Sequence, residues 1–331
     1  MSTNSESFAS VEQITSRPNY SSNVNITVEN FHTLVGRYHL SESVQCQVKS
    51  DHGICGKKHQ IGYVGVTQNG MEGLIGGYCG DKYFSEHTIF VQEKNRIDAE
   101  LDRRENLEQL LNYKENFFSL TTRHSELKKS IELIKKRADH LYNGFPDIVL
   151  TYLNQAQKTK NWDLHIDVLR HSRGEKGMTS NWYIEKLCTF APLPSSQEYK
   201  SLLGRIENLT NVFNDACSSN IELLPTPKLK GFVRTLSEFT DLENTYTKYS
   251  KDTTDFTQEN SLNNLYFVCA NTKDKLATVK TIMSLKKNTS LNENKVKLKC
   301  DKIEESTKVK FDNCPVRCNK TVMKFKKNSI G

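Results

Sequence analysis

The apolar positions of this chain change period from one stretch to the next, and each change proposes an element. Residues 1–27 are rich in Ser and Asn, follow no period, and read as a mobile leader. Around Asn69-Gly70, the segment IGYVGVTQNGMEGLIGGY proposes a β-hairpin with a type I′ turn. Pairing outward from that turn sets Val66 opposite Gly73, Val64 opposite Ile75 and Gln60 opposite Cys79. From 81 to 143 no Gly or Pro interrupts 63 residues dense in Glu, Leu, Lys and Arg, which predicts one long helix or two in succession. In its second half Leu110, Tyr113, Phe117, Leu120, His124, Leu127, Ile131, Ile134, Ala138 and Leu141 keep a heptad, as a coiled-coil seam or a bundle helix does. The flanking Lys114, Arg123, Lys128, Lys135 and Arg137 call for an acidic partner helix, which residues 98–108 (DAELDRRENLE) would supply in an antiparallel arrangement, within the chain or between two copies.

Beyond Gly144-Phe145-Pro146, Leu164, Ile166 and Val168 alternate with His165 and Asp167 as in a strand, and 181–190 offers the return. Ser195-x-x-Glu198 is a capping box ahead of Tyr199, Leu202, Ile206, Leu209 and Phe213. Thr226-Pro227 starts another helix, and Leu276, Val279, Ile282 and Met283 form a last helical stripe. In the tail, Lys295, Lys297 and Lys299, then Lys308 and Lys310, then Lys324 and Lys326 occupy every second position. That pattern predicts a small antiparallel sheet with one lysine face. The expected class is α+β, mainly α. Five regions follow: a leader (1–27), a Gly-rich zinc-stabilised hairpin module (28–84), long coiled-coil-like helices (85–143), a mostly helical domain (144–290) and a basic β-rich tail (291–331).

Charge sharpens the last of these. The net charge is +7, but residues 271–331 carry 16 Lys+Arg against 6 Asp+Glu, which leaves −3 for the rest of the chain. A dense lysine array suits phosphates and binds largely without regard to sequence, so nucleic acid, through its backbone, is the expected partner; an acidic protein surface is the alternative. Mean hydropathy is −0.63, and no apolar run approaches the roughly 20 residues that span a bilayer. With no secretory signal pattern at the start and nine cysteines, an odd number, reduced thiols or metal ligands in a cytoplasmic protein are expected.

Four side chains in the Gly-rich region make the strongest chemical signal: Cys46-x8-Cys55-x3-His59-x19-Cys79. Thiolate and imidazole suit tetrahedral Zn2+, the hairpin returns Cys79 toward His59, and a helix starting beside Cys79 favours its thiolate. His52 or His87 could replace one of the four. Knuckle, hairpin and helix together resemble the treble-clef and zinc-ribbon class of zinc fingers. The segment CGKKHQIGYVGVTQNGMEGLIGGYCGDKYF is also similar to conserved-hypothetical bacterial and phage proteins with a Cys, His, Gly-rich, Cys unit. The resemblance covers about 40 residues and fixes no activity; a set of four protein ligands leaves no open position, so a structural metal is expected. The unit departs from the common fingers in a long first spacing and a single ligand at the helix start.

Cys300 with Cys314 and Cys318 is a second possible metal set, against the alternative of packed thiols. His165-x-Asp167-x3-His171 is a third, more often a solvated strand face. No phosphate-binding Gly-rich loop, nucleophile elbow or HExxH occurs, which lowers the weight of an enzyme reading without removing it. The expectation is therefore a non-enzymatic zinc protein that associates with nucleic acid, or a scaffold subunit that self-associates through its helices. An unrecognised enzyme using the region from Trp162 to Tyr183 ranks below both.

Overall fold

The computed structural model describes residues 5–50, 53–174, 177–285 and 292–319. Its contacts divide the chain into two compact units, 1–117 with 213–235 and 118–212 with 236–331, so each unit is assembled from two stretches of sequence. The fold is α+β and mainly helical, as the patterning predicts.

The first unit holds β1 (Glu6–Phe8), α1 (Val11–Thr15), β2 (Phe31–Gln45), β3 (Lys49–Ser50), β4 (Gly53–Ile54), β5 (Lys58–Thr67), β6 (Glu72–Gly76), α2 (Gly77–Tyr83) and α3 (Thr88–Glu115). Its sheet has the order β1-β2-β5-β6, with β1 parallel to β2 and the other pairs antiparallel, while β3 and β4 form a separate two-stranded ribbon. Both faces of the sheet are covered. Phe8, Ile14, Tyr38, Leu40, Val64 and Leu74 pack on one side; Phe31, Leu34, Ile75, Phe84, Phe90, Ile97 and Leu101 pack on the other, beneath α3. The leader is therefore part of the fold from residue 5 onward. Ser10 and Gln13 close a capping box on α1, and that short helix buries Ile14. The hairpin register also differs by one residue from the expected one: Val66 faces Glu72, Val64 faces Leu74 and Gly62 faces Gly76. Only Gly70, at φ +82°, takes the left-handed conformation in this turn. The loop is thus a three-residue connection and not a type I′ turn, which needs two such residues.

The second unit contains α4 (Phe117–Gly144), α5 (Asp147–Thr159), β7 (Asp163–Gly174), β8 (Gly177–Thr189), most of α6 (Ser196–Ser218), α8 (Phe239–Phe256), α9 (Glu259–Asn263), α10 (Thr272–Ser284), α11 (Glu293–Lys310) and β9 (Val316–Cys318); the end of α6 and most of α7 (Thr226–Ser237) belong to the first unit. The Gly-free segment is two helices that break at Asn116. The heptad side chains of α4 are covered by the chain itself. His124 is buried 4.7 Å from the Phe239 ring, Arg123 pairs with Glu243 on α8 and Lys128 with Glu207 on α6. Two of the five basic residues thus find acids on other helices of the same unit, while Asp102 of the expected partner segment 98–108 pairs with Arg37 and Lys230.

The C-terminal unit does contain a small antiparallel sheet, but it is β8-β7-β9, and the lysine-rich segment is not in it. Lys295, Lys297, Lys299, Lys308 and Lys310 lie on α11. Beneath their two-residue alternation runs a longer stripe, Val296, Cys300, Ile303 and Thr307, with helical spacing and buried throughout. Asn292 caps the start, Glu293 lies in the first turn and Lys308 and Lys310 in the last, all as a helix dipole favours. A helical period scatters the lysines, so the expected single lysine face is not formed. Lys324 and Lys326 lie outside the described residues.

Candidate metal centre

The ribbon of β3 and β4 folds the chain back so that Cys46 and Cys55 stand at its base, where the Cys46 carbonyl accepts a hydrogen bond from the Gly56 amide and Cys55 donates its amide to Val48. Gly56, at φ +58°, permits the sharp exit. β5 and β6 then carry the chain to α2, which presents Cys79. The three sulfurs lie within 4.8 Å of one another, with Cys55 Sγ 3.3 Å from Cys79 Sγ, and all are free thiols. Cys46 and Cys79 are buried and Cys55 half-buried. Burial pushes the Cys46 thiol up and takes Cys79 to about 12, where its neighbours Cys55 and Cys46 add to the effect. Burial acts the same way on Cys55, but hydrogen bonds from the Lys57 backbone and from Cys79 and Cys46 outweigh it, and this thiol lies below the usual range.

His59 stands beside the cluster and outside it; a fourth ligand is not among the converged atoms. Its surroundings nevertheless determine its chemistry. Tyr38 Oη donates to the Ile75 carbonyl at 3.1 Å and lies 3.0 Å from His59 Nδ1, a contact whose direction depends on the imidazole tautomer. With the hydroxyl proton on the carbonyl side, Nδ1–H is the donor to Oη and Nε2 carries the lone pair. Nε2 is buried and has no hydrogen-bond partner. Burial holds the His59 pKa below the ordinary value, which keeps the ring neutral. The ring rests on Gly76, where a Cβ would come within 2.6 Å of His59 Cδ2 and 3.0 Å of Nε2. The Gly76 backbone is in turn hydrogen-bonded to Cys46. One glycine thus touches both the imidazole and the cluster.

Of the sequence-predicted ligands, Cys46, Cys55 and Cys79 are brought together, and His59 stays outside the group, linked to it through Gly76. His52 lies outside the described residues. His87 caps α3, its Nδ1 accepting from the Phe90 amide at 3.2 Å. The second set does not converge. Cys300 is in the core on α11, Cys314 lies 3.7 Å from Arg170 Nη1, and Cys318 donates to the Val268 carbonyl at 3.4 Å. These are packed thiols. His165, Asp167 and His171 are divided in the same way, Asp167 being paired with Arg317 and His171 with Ser180. Tyr38 carries no signal in the local pattern: a bulge between Leu34 and Gly36 puts Leu34 on one face of the sheet and Tyr38 with Leu40 on the other, so plain alternation along β2 does not reveal its inward positions.

Comparison with protein-family models, curated proteins and solved structures finds no match to this chain. Among the described residues no helix is long and apolar enough to cross a membrane.

Proposed function

We propose that the first unit is a zinc-dependent structural module, with Cys46, Cys55, Cys79 and His59 Nε2 as the four ligands, in a protein that acts by binding and not by catalysis. The observation that carries this reading is a trio of convergent thiols, with a half-buried imidazole whose buried Nε2 has no partner resting on the same glycine, Gly76. Three sulfurs and one nitrogen form a common tetrahedral zinc set, and a ring oriented through its other nitrogen is the usual supporting arrangement for a histidine ligand. Four protein ligands leave no open position on the ion, so it serves to hold the β3–β4 ribbon, β5 and α2 in register. A scaffold role is favoured over association with nucleic acid. Lysines on α11 point in several directions, and three are already engaged: Lys299 by Glu259, Lys308 by Glu305 and Lys310 by the Leu187 carbonyl.

Elemental analysis and native mass spectrometry of the purified chain test the reading. One equivalent of zinc is expected, lost in Cys79→Ser and His59→Ala. A metal-free protein whose Cys79→Ser variant folds and melts as the parent does would overturn it.

A further inference from the structure

Among the described residues, the sheet of the second unit ends in a strand with no partner on its outer side. β8 is at the edge of the order β8-β7-β9, paired with β7 without interruption from His165↔Lys186 to Gly174↔Gly177. Natural edges are usually blocked by a charge, a proline or a bulge. From Gly177 to Ile184, GMTSNWYI, there is neither a charged residue nor a proline, and the one irregularity of the pairing lies beyond, between Leu164 and His165. The side chains there are unusually apolar for solvent: Met178 is 73% exposed, Ile184 63%, Tyr183 49% and Trp182 39%. Met178, Ser180, Trp182 and Ile184 share one face, and Thr179, Asn181 and Tyr183 the other. Arg317 lies 3.8 Å over the Trp182 ring while its Nε binds Asp167, which fixes the indole in place.

We propose that β8 pairs antiparallel with β8 of a second copy of this chain about a two-fold axis at Asn181, joining two three-stranded sheets into one of six strands. The strand is complementary to itself in this register. Met178 meets Ile184 of the second copy, Ser180 meets Trp182, Thr179 meets Tyr183, and Asn181 meets itself; between 178 and 184 no charge opposes a charge. Placing the axis at Trp182 sets Met178 against Lys186, and placing it at Ser180 carries Ile184 past the start of the strand. Because the pairing is isologous, it closes as a dimer and does not propagate. The interface involves no residue of the metal centre, so it stands or falls independently of the zinc reading.

The test uses the full chain with its bound metal, in sedimentation equilibrium over a concentration series, with circular dichroism to confirm folding. The parent is expected to be a reversible dimer. Met178→Lys with Ile184→Lys sets lysine against lysine on both sides of the axis and should weaken the dimer by about tenfold or more, whereas Met178→Lys with Ile184→Glu should restore it. Both positions are exposed in the monomer, so folding is spared. Asn181→Cys should form an intersubunit disulfide on mild oxidation, and Thr179→Cys should not, because only the former faces itself at a bridgeable distance. A parent that stays monomeric at every concentration overturns the proposal and leaves the edge to an extended segment of another protein. A dimer indifferent to the double-lysine variant, or equal crosslinking at 179 and 181, also overturns it.

Discussion

Buried cysteines occur in both units, and they have opposite fates. In the second unit each thiol is a core atom with its own local partner: Cys269 Sγ lies 3.2 Å from Thr278 Oγ1, Cys318 donates to a carbonyl, and Cys300 packs beside Val296 and Ile303. That unit has one large core reaching from α4 through β7 to α11, and the thiols merely fill it. In the first unit the sheet divides its apolar residues into two smaller clusters, and three thiols converge at the edge of one of them with a lone-pair nitrogen nearby. Cysteine count and burial do not separate the two cases. Convergence of the three sulfurs does.

The largest effect expected from this contrast is on metal removal. Structural zinc contributes about 10–16 kcal/mol in isolated finger peptides, and a module with cores of its own should lose less, of the order of several kcal/mol. Chelation, or Cys79→Ser, should therefore deprotect β5, β6 and α2 in hydrogen exchange while leaving β7 and α11 as they were. Uniform deprotection of both units would erase the distinction. Tyr38→Phe should lower zinc affinity by about ten- to a hundredfold, because Nδ1 loses its acceptor and the lone pair at Nε2 is no longer guaranteed; competition with a chromogenic chelator reads this directly. Gly76→Ala should act in the same direction without removing any polar group, by displacing the ring.

A pH titration separates the units in another way. His124 is buried, and burial, with Arg123 adding to it against the opposing Glu243, brings its pKa down to about 4. The unfolded chain takes up this proton near pH 6.5 and the folded chain only near 4. Stability of the second unit is thus undiminished above pH 6.5, falls as the pH drops through that window, and levels off below it, by at most about 3 kcal/mol in total. Thermal melts of His124→Leu should lose this dependence; an unchanged slope would count against the buried seam. The smallest effect is expected from Cys300→Ala, about 1–2 kcal/mol of stability from lost packing, with the zinc content unchanged.

Much of this architecture is legible in local patterns. Ser195 and Glu198 do form a reciprocal cap, with the Ser195 amide 2.7 Å from the Glu198 carboxylate, and Leu164, Ile166 and Val168 do form the buried side of a strand whose return is β8. Such signals are legible because capping and alternation act within a few residues. The lysine tail misleads for the same reason: a run of six alternating residues fits a strand, while the stripe from Val296 to Thr307 that decides for a helix takes three turns to emerge. The cysteine trio was marked by ligand type and by the return of the chain through a hairpin. The sequence therefore determined which side chains could bind a metal and where most helices and strands begin. Only the tertiary structure decided which thiols meet, which nitrogen of His59 is left without a partner, and that α4 finds its partners in α6 and α8, because each depends on atoms brought together from positions 20 to more than 100 residues apart.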